Sequence, residues 1–189
     1  MTSLPASAGG TPVRTTFLPF ALPLVGDEEK REVLKVLDSG WITTGPRTFE
    51  FEKRLASYTG AAHAVALSSC TAALHVSLAA LGVGEGDEVI TSTMTFCSTA
   101  NVIIHLRARP VLADVEPGAL TISPDEIRRR MTPRTKAIVP VHYGGHPCRM
   151  DEITDIAARR GVPVVEDAAH ALGAVYRGRN VGTLSSATC

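Results

Sequence analysis

Two adjacent carboxylates, Glu166 and Asp167, follow a pair of valines, Val164 and Val165, and a histidine, His170, comes three positions after the aspartate. A short β-branched run reads as a buried parallel strand, and open α/β sheets bind ligands just outside the carboxyl ends of their strands. Such a strand end would hold Asp167 rigidly where chemistry is usually done. An ordinary carboxylate capping the next turn explains the same residues. On this stretch alone Asp167 is either a cap or a chemical partner.

Other residues could join it. Leu67, Ser68 and Ser69 end a second strand-like run, and a helix of small residues starts at once with Cys70, Thr71 and Ala72. The first N–H groups of a helix lack internal partners and carry partial positive charge, which suits a phosphate, with Ser69 and Thr71 adding hydroxyls. Simple N-capping by Ser69 serves the helix with no ligand at all. Phe96, after Thr93-Met94-Thr95, sits at another strand-to-helix junction, as a core plug or as a face for a planar ring. Gly82-Val83-Gly84-Glu85-Gly86 follows a helix and precedes a strand, the reverse of a dinucleotide fingerprint. His142 and His146 have metal-ligand spacing only on a helix, and Tyr143-Gly144-Gly145 with Pro147 makes a loop there. No metal site is expected, and His142 reads as a packed or substrate-side histidine.

The elements that must position these residues alternate in type. The sequence predicts a helix from Asp27 to Ser39-Gly40 with Val33, Val36 and Leu37 as its stripe, after an apolar lead-in at Phe17 to Phe20. A second helix runs from about Pro46 to Tyr58. Strands are expected at 63–67, 88–91, 110–115, 137–141 and 162–165. Helices are expected at 71–81, 98–106, 124–131 and 151–160, the third opened by a capping box, Ser123 with Glu126. Regular strand–helix alternation with long crossovers means an α/β fold with a mostly parallel central sheet.

Charge balances at 19 basic and 19 acidic residues, which argues against a polyanion partner. No apolar run approaches the roughly 20 residues that span a bilayer. Residues 1–16, rich in Ser, Ala, Gly, Thr and Pro, lack the apolar core of a signal peptide and read as the flexible tail of a cytoplasmic protein; residues 17–189 read as the folded part. Cys70, Cys97, Cys148 and Cys189 are widely spaced and are expected as free thiols. The end at Ser185 to Cys189, with no terminal helix or charged tail, reads as a cut end.

Five segments in one order resemble the DegT/StrS family of pyridoxal-phosphate-dependent sugar aminotransferases: Trp41 to Pro46, Ser68 to Leu74, Gly86 to Ile90, Thr135 to His142, and Glu166 to His170. The resemblance covers the chain from about Phe17 onward. It is nearest in flavour to the branch that aminates C4 of a nucleotide-linked 4-keto sugar. It implies the three-layer, aspartate-aminotransferase-like (fold type I) large domain, cut before the small C-terminal domain. Asp167 would pair with the pyridine nitrogen of pyridoxal 5'-phosphate and keep it protonated. His170 would lie near the ring oxygen or face, and Phe96 would stack on the opposite face. Cys70, Thr71 and Ala72 would hold the phosphate, and Trp41 to Pro46 would lie near the mouth of the site.

The resemblance also implies a Schiff-base lysine, and the chain has only Lys30, Lys35, Lys53 and Lys136, none of them placed to serve. In the family that lysine follows an aromatic-Ser-aromatic segment just beyond the position of Cys189. No catalytic residue is therefore expected within the chain. The implied whole is a homodimer moving an amino group, from glutamate, to a nucleotide-linked keto-sugar. A sugar dehydratase of the same family, with histidine for lysine, and a non-catalytic truncated product are the alternatives.

Overall fold

The computed structural model describes residues 4–19 and 21–189; Met1 to Ser3 of the expected tail and Phe20 of the lead-in lie outside the described residues. The chain divides into two units, Met1–Gly45 and Pro46–Cys189, a division not foreseen from composition.

The first unit holds one short 3-10 turn, Ala6–Ala8, and helix α1, Asp27–Asp38. Asp27, Glu28 and Glu29 fill the first turn of α1, where the helix dipole favours negative charge, and the Gly26 N–H donates to Glu29 Oε2 at 2.7 Å. Gly40, at φ +69°, follows its end. Val33, Leu34 and Leu37 are exposed. Trp41 Nε1 donates to the Thr44 carbonyl at 2.9 Å, which lays the indole over Gly45, where a Cβ would collide with the ring.

The second unit runs α2 (Pro46–Thr59), α3 (Cys70–Ala80), β1 (Glu88–Ser92), α4 (Cys97–His105), β2 (Arg109–Ala113), α5 (Pro124–Arg130), β3 (Thr135–Val139), α6 (Met150–Ala158), β4 (Val165–Glu166), β5 (Val175–Tyr176), β6 (Arg179–Asn180) and β7 (Ala187–Thr188). β1 pairs in parallel with β2 on one side and β3 on the other. Parallel bridges Ile138–Val164 and Val141–Asp167 carry the sheet on to β4, which pairs in parallel with β7. The order is thus β2-β1-β3-β4-β7, and it reverses direction at β1 and β3, where doubly wound sheets open a ligand crevice.

Side-chain alternation along the strands sorts the core into two layers. Val89, Ala137, Val139 and Val165 face Leu74 and Leu78 of α3 and Val102 and Ile103 of α4. Ile90, Ile138 and Val164 face Ile127 of α5 and Met150, Ile153 and Ile156 of α6. Helices on both faces of a parallel sheet make three layers, as expected. Complete burial of a leucine such as Leu78 contributes about 1.5–3 kcal/mol relative to exposure, so these two layers fix the strand ends firmly. Among the described residues no helix is long and apolar enough to cross a membrane.

Two expectations need correction. Residues 63–67 form no strand; Val65 is 75% exposed, and the Ala66 N–H goes to the Glu52 carboxylate at 2.8 Å. The capping box at Ser123 does not form, because the Ser123 N–H that Glu126 would have taken already donates to the Asp114 carbonyl at 2.9 Å. Glu126 turns instead to Arg129 and Arg130, whose charge-assisted bonds outweigh a neutral cap. The β5–β6 hairpin and β7 were not read from the sequence. Arg177 and Gly178, at φ +48° and +78°, form the two-residue turn of the hairpin.

At the amino end of β1, Glu88 is 3% exposed. It accepts from Thr132 Oγ1 at 2.6 Å, Arg134 at 2.7 Å and Arg109 at 3.4 Å. The Thr132 hydroxyl above all, then Arg134 and Arg109, hold its carboxyl below the usual value of 4.5 against the opposing effect of burial. A depressed folded pKa gives stability that is present above the unfolded value and is lost as pH falls through the folded one. Glu88→Gln is therefore expected to flatten the acid limb of the thermal midpoint measured from pH 7 downward. An unchanged limb would show that this cluster does not govern acid stability.

Candidate cofactor site

β4 ends at Glu166, and the chain continues the parallel pairing for one more residue. The Asp167 N–H donates to the Pro140 carbonyl at 2.9 Å, and the His142 N–H to the Asp167 carbonyl at 3.0 Å. Asp167 is thereby fixed at the carboxyl edge of the sheet, 5% exposed. Its Oδ2 accepts from Thr99 Oγ1 at 2.7 Å, one turn into α4. Thr99 has a single proton, so its 2.7 Å contact with Thr95 Oγ1 has Thr95 as donor. Oδ1 accepts from the Ala169 N–H at 3.3 Å and faces Cys70 Sγ at 3.8 Å. Burial first, then the negative charge of Asp167 and the neighbouring Cys189, pushes the Cys70 thiol up to about 12, so its proton stays on sulfur and points at Asp167.

All of these partners are neutral. Among the described residues no cation pairs with Asp167. A carboxylate this deeply buried usually has an opposite charge beside it. The site is thus built around a buried carboxylate held in place by neutral groups, at the edge where this fold binds ligands.

The starts of α3 and α4 flank it. Ser69 caps α3, its Oγ accepting from the Ala72 N–H at 3.1 Å, so one of the three N–H groups expected to meet a phosphate is already engaged. Thr71 is exposed and Cys70 half-buried. Phe96 occupies the N-cap position of α4, 70% exposed and outside both core clusters of the chain. His170 is exposed; its Nδ1 accepts from the Gly144 N–H at 3.3 Å, and its ring meets Tyr143 edge-on at 6.0 Å. Gly145, at φ +82°, permits this approach, since a Cβ there would stand 2.9 Å from the His170 carbonyl oxygen.

The structure therefore brings Cys70, Asp167 and the start of α4 together, and it turns His170 toward the Tyr143–Gly145 turn. Trp41 to Gly45 belong to the other unit. Thr99 and Cys189 were missed from the sequence. Thr99 had a readable signal, being one helical turn beyond the Phe96 junction on the face that looks back at the strand ends. Lys53 is exposed on α2. Lys136 lies five residues before Val141, the bridge partner of Asp167, which is about 16 Å along a strand. Lys30 and Lys35 are paired on α1 with Asp27 and Glu32.

A doubly wound parallel sheet of three layers, with a buried carboxylate at the strand edge between two helix starts, is the large-domain architecture of the fold type I pyridoxal-phosphate aminotransferases. The chain belongs to the DegT/DnrJ/EryC1/StrS aminotransferase family, whose profile matches residues 23–189. It is 53% identical over 175 residues to the spore coat polysaccharide biosynthesis protein SpsC of Bacillus subtilis, covering 93% of this chain and 45% of that protein. A putative sugar aminotransferase of Streptococcus pneumoniae, solved in its pyridoxal-phosphate form, superposes with a TM-score of 0.85 at 37% identity, over 89% of this chain and 47% of that one. PseC of Helicobacter pylori, an aminotransferase in pseudoaminic acid biosynthesis, gives 0.84 at 29% identity, over 90% and 46%. The chain spans just under half the length of these relatives.

Thr99→Val keeps the shape and removes the hydroxyl donor to Asp167. It is expected to lower unfolding stability in urea at neutral pH by about 1–3 kcal/mol, the cost of leaving a buried acceptor short of a donor. Thr99→Ser should retain most of it. A valine variant as stable as the parent would show that Asp167 does not rely on this hydroxyl.

Proposed function

We propose that this chain forms one side of a pyridoxal 5'-phosphate site in an enzyme that transfers an amino group, from glutamate, to the keto group of a nucleotide-linked sugar. We further propose that the active assembly is a homodimer and that the Schiff-base lysine comes from chain beyond residue 189. The observation that carries the reading is the buried carboxylate of Asp167, held by neutral donors among the described residues. A protonated pyridine nitrogen is the partner such a charge lacks. When bound, the cofactor supplies an electron sink that lets an amino group pass between two carbon skeletons.

The residues present fit that group. Asp167 would hold the proton on the ring nitrogen, and the Thr99 hydroxyl and the Ala169 N–H keep the carboxylate aimed. The N–H groups of Cys70 and Thr71, with the Thr71 hydroxyl, would take the phosphate at the positive end of α3, with the Ala72 N–H shared with Ser69. Phe96 offers an exposed aromatic face for the ring, and His170 offers a ring edge just beyond the strand that carries Asp167. The sugar assignment draws on the relatives: the Streptococcus protein is described as a sugar aminotransferase, SpsC serves spore coat polysaccharide synthesis, and PseC pseudoaminic acid synthesis.

Pyridoxamine 5'-phosphate, which needs no lysine to bind, is the probe. Equilibrium dialysis is expected to show saturable binding by the chain, weakened roughly tenfold to hundredfold in Asp167→Asn, the span of a hydrogen bond to a charged group. Equal affinity of the two proteins would remove Asp167 from the proposed role. Joined to the remaining length of the family, the chain is expected to transfer nitrogen from glutamate to a nucleotide-linked keto-sugar. Loss of water from that sugar, without nitrogen transfer, would favour the dehydratase.

A further inference from the structure

Glu166 has no part in the proposed chemistry, yet it is fully buried beside Asp167. Successive strand residues face opposite ways, so its side chain leaves β4 on the face away from Asp167. There it collects three donors from two other segments. Oε2 lies 2.7 Å from His142 Nε2, and Oε1 accepts from Ser185 Oγ at 2.6 Å and Thr188 Oγ1 at 2.9 Å. The Cys148 N–H donates to His142 Nδ1 at 3.1 Å, so that nitrogen is bare and Nε2 carries the proton given to Glu166. The backbone completes the clamp: the Cys189 N–H donates to the Glu166 carbonyl at 2.8 Å, and the Ala168 N–H to the Cys189 carbonyl at 2.7 Å.

This matters for Asp167 because β7 delivers Cys189 to its neighbourhood. The Cys189 thiol, 3.4 Å from Ser77 Oγ on α3, is pushed up in pKa chiefly by burial, with Asp167 and Glu166 adding to the effect. The two-residue β4–β7 pairing is short, and two ladder positions do not hold a strand alone. The two hydroxyls that Ser185 and Thr188 give to a buried acceptor, itself fixed by His142, add the hold that the pairing lacks.

We infer that Glu166, with His142 as its fixed-tautomer partner, is a positioning residue that locks β7 against β4 and so builds the wall that keeps water from Asp167. The consequence for the cofactor rests on the function proposed above; the locking of β7 does not.

The test reads both. Ser185→Ala with Thr188→Val removes the two hydroxyls that β7 and its lead-in give to Glu166, and leaves the buried charge and its histidine in place. Alkylation by iodoacetamide, followed residue by residue by mass spectrometry, reports on β7 without any cofactor. In the parent chain exposed Cys97 is expected to react first and Cys148 last. In the double variant Cys189 is expected to react at least tenfold faster than in the parent while Cys148 stays protected. Cys189 and Cys148 rising together would mean general loosening, and no rise in Cys189 would mean that β7 is held otherwise; either overturns the proposal. Glu166→Gln, whose single amide oxygen can accept from His142 or from the two hydroxyls but not from both, is expected to speed Cys189 in the same way. Pyridoxamine 5'-phosphate should bind both altered chains at least fivefold more weakly, and unchanged affinity would overturn the link to Asp167. A parent chain that fails to bind the probe yet shows the thiol pattern would sink the proposed function and leave the β7 lock standing.

Discussion

A buried carboxylate that meets only neutral partners among the described residues is the constraint on which this structure turns. Taking a carboxylate out of water costs several kcal/mol even after relaxation, and neutral hydrogen bonds return only part of it, about 1.5–3 kcal/mol each. Asp167 accepts that position because the sheet leaves it little choice. Parallel bridges to β3 fix its backbone, a full hydroxyl bond from Thr99 fixes its side chain, and the Cys70 thiol closes the remaining side. A cap on a turn would need none of this, since an exposed aspartate does that work in water.

Two other carboxylates on the same sheet sharpen the contrast. Glu88, at the opposite end of β1, is as deeply buried but meets the guanidinium groups of Arg134 and Arg109. Its charge already has cations beside it. Glu166 is saturated by a neutral histidine and two hydroxyls, with no open approach. Of the three, only Asp167 combines burial, neutral partners and a place beside two helix starts. The sheet thus gives each buried carboxylate a different role. Glu88 ties down its amino end, Glu166 braces its interior, and Asp167 serves its binding edge.

Much of this arrangement was legible in the residues. Strand–helix alternation from Glu88 to Glu166 is written in β-branched runs set between amphipathic stretches, and the strand-edge position of Asp167 follows from Val164 and Val165 directly before it. Local signals failed where partners lay elsewhere. Residues 63–67 have strand-like composition, but pairing needs a neighbour, and the Ala66 N–H finds a glutamate on α2. Ser123 and Glu126 have capping-box spacing, but a backbone carbonyl 9 residues earlier, at Asp114, had taken the N–H that the box requires. β7 was invisible because Ala187 and Thr188 owe their conformation to β4 and to the Glu166 carboxylate, contacts about 20 residues away in sequence. In the site, Asp167 and the start of α3 stood out from sequence. Thr99 could have been read from its place one turn beyond Phe96, whereas Cys189 is joined to them only by the fold.

The central claim is that the Asp167 carboxylate holds the proton on the ring nitrogen of the bound cofactor. Nitrogen-15 NMR of ring-labelled pyridoxamine 5'-phosphate bound to the chain reads that proton directly, at a pH where the free ligand's ring nitrogen has lost it. The account predicts a bound signal at the pyridinium position, moving to the unprotonated position in Asp167→Asn. A bound ligand whose ring nitrogen remains unprotonated beside intact Asp167 would contradict it.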